Sequence, residues 1–155
     1  MAELNVSRKN MQGLLSLNDP TTKGKIFVIP EYQRPYRWEV DTCDVLWNDL
    51  KNFFEEHKDY DREYFLGSIV TCDDTDEQNR INIIDGQQRI TSFLLLLRAF
   101  YYKLEDQLVD NPSDEEVEGL MKSIEPCIWK INPMTKNTGA PQDANAILIP
   151  KPVAD

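Results

Sequence analysis

The chain has 155 residues, 41% of them hydrophobic and 10% aromatic, which is about the size of one domain and enough to bury a core. We expect one folded domain over residues 1–155 that forms the N-terminal fragment of a longer protein. The formal net charge of −10 excludes a protein that coats nucleic acid by general electrostatics, because such proteins carry a basic face. Any contact with DNA must be local or supplied by another part or partner.

The cysteines and the apolar runs indicate the compartment. Cys43, Cys72 and Cys127 are widely spaced and lack a C-x-x-C pair, so they encode neither a disulfide framework nor a zinc site, and we expect reduced, mostly buried thiols. No secretory signal opens the chain, and the strongest apolar run, Ile90 to Tyr102, is too short to span a bilayer and contains Arg98. These features predict a cytoplasmic protein.

Three elements are predicted in the first part of the chain. Ser7 to Leu17 favours a short helix with one apolar face. Lys25 to Ile29 is rich in β-formers and predicts a strand, which Pro30 stops because proline cannot donate to a ladder. Asp41 to His57 predicts a helix with apolar residues at helical spacing, and Asp41 is placed to cap it.

The middle of the chain predicts two strands and a long helix. Tyr64 to Thr71 and Arg80 to Asp85 are the strands, and the acidic, polar segment Cys72 to Asn79 between them suits an exposed hairpin loop. The helix that follows should run from about Gln87 to Glu105. Because it is apolar nearly all round, we expect it at the centre of the domain.

The last part of the chain predicts a linker, a helix, a loop and a strand. Asp110 to Glu118 is expected to be a solvated acidic linker, Val117 to Lys130 a helix and Asn132 to Ala144 a loop. Ala146 to Ile149 resembles a strand. The mixture of strands and helices predicts an α/β domain with a small sheet.

Polar and aromatic groups are concentrated from Ile29 to Trp38, directly after the first predicted strand. Arginine binds phosphate bidentately and aromatic faces stack on bases, so Tyr32, Gln33 and Arg34 could help to hold a nucleotide. The alternative is a loop whose aromatic rings pack on the core and whose arginines form ion pairs. Composition alone leaves both interpretations open.

A second concentration, Asp85-Gly86-Gln87-Gln88-Arg89, lies where an apolar strand passes into an apolar helix. A turn at this point offers free backbone N–H groups, the positive end of a helix dipole, a guanidinium and a carboxylate, as a phosphate-bearing ligand and its metal would need. The structural alternative is that Gly86 supplies a permissive backbone angle and Asp85 caps the helix. That alternative does not explain why two amides and an arginine open so apolar a helix.

Three further observations bear on the chemistry of the site. Gly67 interrupts the predicted strand Tyr64 to Val70, which indicates a bulge or a close approach by ligand or backbone. His57 is the only histidine, so nuclease centres built on several histidines cannot reside in this chain. No P-loop, dinucleotide-binding or H-E-x-x-H motif is present, so a nucleotide would have to be bound in another way.

Three motifs together resemble the N-terminal domain family of GmrSD-type modification-dependent restriction enzymes. They are I-P-x-Y-Q-R-x-Y-x-W at Ile29 to Trp38, Y-F-L-G-S-I-V at Tyr64 to Val70, and I-I-D-G-Q-Q-R-I-T-S at Ile83 to Ser92. The resemblance covers a motif core at about Val28 to Tyr102. It implies a ParB/sulfiredoxin-like α/β fold, a small mixed sheet with flanking helices in which a strand, a glycine turn and a helix start hold nucleotide phosphates.

The family resemblance also implies an activity, namely nucleoside triphosphate binding and Mg²⁺-dependent hydrolysis coupled to cleavage of foreign, often modified, DNA. Its implied catalytic residues are Asp85, Gln87, Gln88 and Arg89, with Asp85 also as the Mg²⁺ ligand. Its implied nucleotide-binding residues are Tyr32, Gln33, Arg34, Gly67, Ser68, Gly86 and Thr91. In the mechanism we expect, Arg89 binds phosphates, Arg34 offsets developing charge, and Gln87 or Gln88 orients the attacking water.

Relatives of this type continue into a helical region and a histidine-containing nuclease domain. DNA would therefore be contacted through a C-terminal nuclease domain or a partner, and a homo-oligomer is compatible with the sequence. Two alternative functions stay open at this stage. One is a module that senses nucleotide or modified DNA without hydrolysis and gates a separate nuclease, and the other is a nicking nuclease that acts directly through Asp85.

Overall fold

The computed structural model describes residues 5–16, 25–58, 62–75 and 78–129, together with the backbone of 148–150. In chain order the elements are α1 (Met11–Leu15), β1 (Ile26–Ile29), α2 (Val40–Glu56), β2 (Val70–Asp73), β3 (Arg80–Asp85), α3 (Gln87–Asp110), α4 (Glu115–Ile128) and β4 (Leu148–Pro150). The predicted α/β class with a small mixed sheet and flanking helices is confirmed.

The strands form one mixed sheet in the order β2-β3-β1-β4. β1 is parallel to both β3 and β4, whereas β2 and β3 form an antiparallel hairpin in which Val70 pairs with Asp85. The parallel pairing places the last residues of β1 and β3 at the same end of the sheet, and the hairpin places the first residue of β2 there as well. We call this end the carboxyl end of the sheet.

Two apolar clusters form the core, and α3 contributes to both. The first lies against the sheet and consists of Leu15, Phe27, Ile81, Ile83, Ile90 and Cys127. The second lies between α3 and α4 and consists of Tyr101, Val117, Met121, Ile128 and Trp129. Arg98, whose guanidinium carbon is 4.1 Å from the centre of the Trp129 ring, forms a cation–π contact beside the second cluster. Helix α3 therefore ties the sheet to α4.

The strand predicted over Tyr64 to Thr71 is wrong in its position. The observed strand is Val70–Asp73, and residues 62–69 have no regular structure. Gly67 has φ of 96°, in the left-handed region that an extended ladder cannot include. The glycine thus breaks the segment, and pairing with β3 begins only after it.

The long helix also differs from its prediction. Helix α3 extends to Asp110 instead of Glu105, and it is not buried on all sides, because Leu95, Phe100, Tyr102 and Val109 are exposed. The acidic segment predicted as a linker, Asp110 to Glu118, is only partly one, because residues 111–114 join the two helices and the residues from Glu115 onward form the start of α4, which Asp114 caps by accepting a hydrogen bond from the backbone N–H of Val117. Carboxylates in the first turn of a helix interact favourably with its dipole, which explains why an acidic run begins a helix here.

The starts of two helices and the burial of two thiols also differ from the sequence predictions. Helix α1 begins at Met11, not Ser7, because the Asn10 side chain caps it. Helix α2 begins at Val40, and Asp41 lies in its first turn and does not cap it. Of the three thiols only Cys127 is buried, and this burial raises its pKa, whereas Cys43 is partly exposed and Cys72 exposed.

At the end of the chain the described strand is Leu148–Pro150, close to the predicted Ala146 to Ile149. The loop predicted over Asn132 to Ala144 lies outside the described residues. Among the residues that the structure describes, no helix combines the length and apolar character needed to cross a bilayer.

A pH-dependent contribution to stability is predicted at Tyr101. Burial, and secondarily the charge of Glu125, raise the pKa of Tyr101 to about 12 from its ordinary value of 10.0. Because the folded-state pKa lies above the unfolded one, this contribution is complete below pH 10 and is lost as the pH rises towards about 12. Chemical denaturation across this range should show a steeper fall in unfolding free energy for the wild type than for Tyr101→Phe.

The same variant supplies the control at neutral pH. There Tyr101→Phe should be less stable by about 1 kcal/mol, since it loses the hydrogen bond that the hydroxyl donates to Glu125 Oε1 over 3.2 Å. Parallel pH profiles for the two proteins would contradict the prediction.

Candidate functional site

The three motifs of the sequence converge at the carboxyl end of the sheet. The loop of residues 30–39 follows β1, residues 66–69 precede β2, and the turn at Asp85-Gly86 follows β3. Strand pairing brings these segments to one end of the sheet, and hydrogen bonds between the first and the last segment join residues 53 positions apart in the chain. In open α/β sheets, ligands bind outside the carboxyl ends of the strands.

The turn between β3 and α3 requires its glycine. Gly86 has φ of 91°, and a Cβ there would lie 3.2 Å from both the Ile69 Cα and the Ser68 carbonyl oxygen, which are backbone atoms that cannot move aside. Gly86 is also the N-cap of α3, so the helix starts without a side-chain cap. The interpretation of Asp85 as the cap is therefore wrong, whereas the permissive angle expected of Gly86 is confirmed.

The two glutamines hold the loop that follows β1. Gln87 and Gln88 are each only 7% exposed. Gln88 Nε2 donates to the Pro35 carbonyl over 3.1 Å, and Gln88 Oε1 accepts from the Arg37 backbone N–H over 2.7 Å. Gln88 thus binds the loop backbone through both ends of its amide, as a neighbouring strand would.

Gln87 makes a similar contact through only one end of its amide. Its Nε2 donates to the Arg34 carbonyl over 2.9 Å, but its Oε1 is buried and has no hydrogen-bond partner in the described part of the chain. A buried acceptor without a partner costs about 1–3 kcal/mol. A bound donor, such as water or a ligand group, would recover that free energy.

A second set of contacts fixes the same loop. Gln33 Nε2 donates to the Ile84 carbonyl over 2.9 Å. Tyr36 Oη lies 2.8 Å from Ser92 Oγ, which itself donates to the Gln88 carbonyl, so Tyr36 is the donor to Ser92. Burial, which outweighs the opposing effect of the Ser92 hydrogen bond, raises the pKa of Tyr36 and keeps its hydroxyl protonated.

The sequence predicted a pocket between Tyr32 to Arg37 and Asp85 to Ser92, but it assigned no role to Tyr36 or Ser92 individually. The available signal was their position, because both lie in the quoted motifs and Ser92 follows Gln88 by four residues, which places the two on one face of α3.

The guanidinium of Arg89 packs on the backbone at Leu66 and Gly67. Its Nη1 donates to the Leu66 carbonyl over 3.2 Å, and its Nη2 is 3.7 Å from Asp85 Oδ2. A Cβ at Gly67 would overlap the guanidinium, so the glycine in this segment makes room for an arginine. The group that approaches Gly67 is therefore an arginine side chain of the same chain, whereas the sequence predicted a bulge or an approach by ligand or backbone.

The side chains that remain accessible to a ligand surround these hydrogen-bonded residues. The side chains of Arg34, Arg37, Ser68 and Asp85 are exposed, and Tyr32 is 74% exposed. Thr91, in the first turns of α3, is half-buried. Among the described residues no group of three His, Cys, Asp or Glu side chains could hold a metal ion by itself.

Fold and site together define an α/β domain in which buried amides fix an arginine-bearing loop beside a strand–glycine–helix turn. The chain belongs to the GmrSD restriction endonuclease N-terminal domain family, whose model matches residues 14–143. A search of curated proteins found no significant match. The family suspected from the three motifs is thus confirmed, and it places the chain in a restriction endonuclease system.

Substitution of Gly67 should disrupt the Arg89 contact. Gly67→Ala forces a non-glycine residue to a φ of 96° and pushes the guanidinium away from the Leu66 carbonyl, so we expect a loss of about 1–3 kcal/mol in unfolding free energy. The matched control is Gly119→Ala, because a Cβ there meets no atom within 4 Å inside helix α4. That variant should gain about 0.5–1 kcal/mol. Thermal and urea denaturation would reveal the opposite signs, and equal stabilities would show that Gly67 is not required.

Proposed function

We propose that this domain binds a nucleoside triphosphate at the carboxyl end of the sheet and hydrolyses it with Mg²⁺, in a restriction system that cleaves foreign DNA. The observation that carries the proposal is that the loop bearing the exposed Arg34 and Arg37 is hydrogen-bonded, through its backbone, to the glutamines at the uncapped start of α3, in a chain of net charge −10. Contact with DNA is assigned to a further nuclease domain or partner, because the overall charge of this chain opposes nucleic acid.

Phosphate groups are the ligand chemistry that this arrangement favours. Helix α3 has 24 residues, and its first N–H groups receive no side-chain cap. The start of such a helix carries a partial positive charge and directs N–H donors outward. The exposed guanidiniums of Arg34 and Arg37 add bidentate donors for phosphate oxygens.

The base of the nucleotide would be held by stacking. Tyr32 is 74% exposed and lies two residues before Arg34 on the same loop. An aromatic face binds any base with little dependence on its identity, since every base presents a π-face. We assign Tyr32 to this role, and Gln33 to fixing the loop through the Ile84 carbonyl.

The residues present fit Mg²⁺ only together with phosphates. Asp85 supplies one exposed carboxylate, and Mg²⁺ in nucleotide sites is commonly held by one or two carboxylates plus substrate phosphates. The ion would neutralise charge on the phosphates and leave Asp85 as its protein ligand. The ion pair of Asp85 with Arg89 spans 3.7 Å and is exposed on the Asp85 side, so it is weak enough to be exchanged for that role.

The two glutamines are assigned different roles. Both polar atoms of the Gln88 amide are occupied by the loop, which makes Gln88 a positioning residue. Gln87 retains one buried acceptor, Oε1, which could accept a hydrogen bond from the attacking water if that water enters the site. Gln87 is therefore the better candidate for orienting water.

A second candidate function is nucleotide sensing without hydrolysis. The specific observation in its favour is that three of the four amide polar atoms of Gln87 and Gln88 already hold the loop. In this case nucleotide binding would gate a separate nuclease by changing the population of conformations. Phosphate release measured with and without DNA distinguishes the candidates, because a sensor binds nucleoside triphosphate and releases none.

Arg34→Ala tests the phosphate site without disturbing the framework. The Arg34 side chain is exposed and its contact with Gln87 is made by the backbone carbonyl, so the variant should keep the wild-type melting temperature. Loss of a charge-assisted hydrogen bond should weaken triphosphate binding by roughly 1.5–3 kcal/mol in calorimetry. The matched control is Lys122→Ala, which removes one exposed positive charge from α4. Equal affinities for both variants would exclude Arg34 from the site.

Asp85→Asn tests the proposed metal ligand. Asp85 does not cap α3, and its exposed side chain contributes little to stability, so the variant should fold normally. We expect it to bind the triphosphate in EDTA as the wild type does, but to lose Mg²⁺-dependent phosphate release, because a neutral amide is a poor Mg²⁺ ligand. Retained turnover in Asp85→Asn would refute the assignment. A parallel plasmid-nicking assay tests whether Asp85 acts on DNA directly.

A further inference from the structure

A groove between α3 and α4 lies outside the site described above. Its volume is about 600 Å³, and its apolar lining comes from Phe100, Leu104, Leu120 and Ile124. The two helices are consecutive and joined by the short segment 111–114, so they form an antiparallel pair. A groove of this kind between two helices matches the shape of a third helix.

The apolar lining continues onto helix α2. The rings of Trp47 and Phe100 are 6.0 Å apart, so Trp47 extends the groove across the surface of α3. Trp47, Phe100 and Leu120 are between 41% and 50% exposed, and α2 buries none of its residues fully. Contiguous exposed apolar surface with a polar rim is typical of an interaction site.

The rim of the groove is acidic. Asp106 and Asp110 line it, and Glu116 lies one turn before Leu120 on the same face of α4. Lys103 is the basic group of the lining and lies 4.0 Å from Asp106, which offsets its charge. An apolar floor with carboxylates along its edges is complementary to a helix with an apolar face and basic flanks.

We propose that this groove docks a basic amphipathic helix of a partner polypeptide. A second copy of this chain fits the groove less well, because each copy carries a net charge of −10 and the rims would repel. The groove lies along the second half of α3, whereas the site proposed for nucleotide lies at its first turn. The docking surface is therefore independent of the function proposed for that site.

A model peptide provides the direct test. A fluorescein-labelled peptide of about 18 residues, or five helical turns, with Leu at the a and d positions of a heptad and Lys elsewhere, is titrated with the full chain by anisotropy. It should bind, and the same peptide with Glu in place of Lys should bind at least about tenfold more weakly. Absence of binding by the Lys peptide would overturn the proposal.

Variants of the full chain separate docking from general attraction to an acidic protein. Asp106→Lys with Asp110→Lys should weaken the Lys peptide at least about tenfold. The matched control, Asp49→Lys with Glu56→Lys, changes the net charge equally on the side of α2 opposite Trp47, and should change binding less than about twofold. Equal losses in the two double variants would overturn the proposal.

The apolar contribution is tested in the same way. Leu120→Gln lies in the groove and should weaken the Lys peptide about fivefold or more, whereas Val45→Gln, an exposed valine of α2 outside the groove, should have little effect. Both positions are exposed, so both variants should melt as the wild type does. Analytical sedimentation of the protein without peptide tests whether a second copy occupies the groove instead. If the wild type is a dimer and Leu120→Gln is a monomer, the groove binds a second copy, and the proposal of a basic helix is refuted.

Discussion

The arrangement of the site depends on the buried amide of Gln88. Its two hydrogen bonds to the backbone at Pro35 and Arg37 replace the partners that a loop leaving a sheet would otherwise have to find in water. One turn further along α3, Ser92 accepts a hydrogen bond from Tyr36 of the loop and so fixes the same loop at a second point. With its backbone held at these points, the loop carries arginine and tyrosine side chains into solvent at a defined place beside the start of the helix.

Burying a polar side chain costs free energy unless the side chain is hydrogen-bonded. This constraint explains which residues follow Gly86 at the start of α3. Gln87 and Gln88 face the loop backbone, and Arg89 lies on Gly67 with its guanidinium bonded to the Leu66 carbonyl. These residues work first as structural connectors between three segments of the chain. The chemistry that we propose for ligand binding therefore passes to the exposed groups around them, with Gln87 Oε1 as the exception.

Helix α3 separates two kinds of surface in one small domain. Its first turn meets arginine-bearing segments at the carboxyl end of the sheet, and its second half borders an acidic groove with α4. The first surface presents exposed guanidiniums beside a helix start, whereas the second presents carboxylates along an apolar floor, so the two surfaces suit different partners. A nucleotide at one end and a basic helix at the other would contact the same rigid element, which offers a physical route for coupling between them.

Local patterns in the sequence determined the family, the α/β class, the strands β1 and β3, the existence of the helices and the glycine turn at Gly86. These features depend on residues close together in the chain, such as periodic apolar positions and a permissive φ. Only the tertiary structure decided which partners the polar side chains of the site choose. The amide of Gln88 meets residues 51 and 53 positions away, and the contact of Arg89 with Gly67 needs the pairing of β2 with β3. Such contacts leave no periodic trace in the sequence, because the strand pairing that creates them joins distant segments.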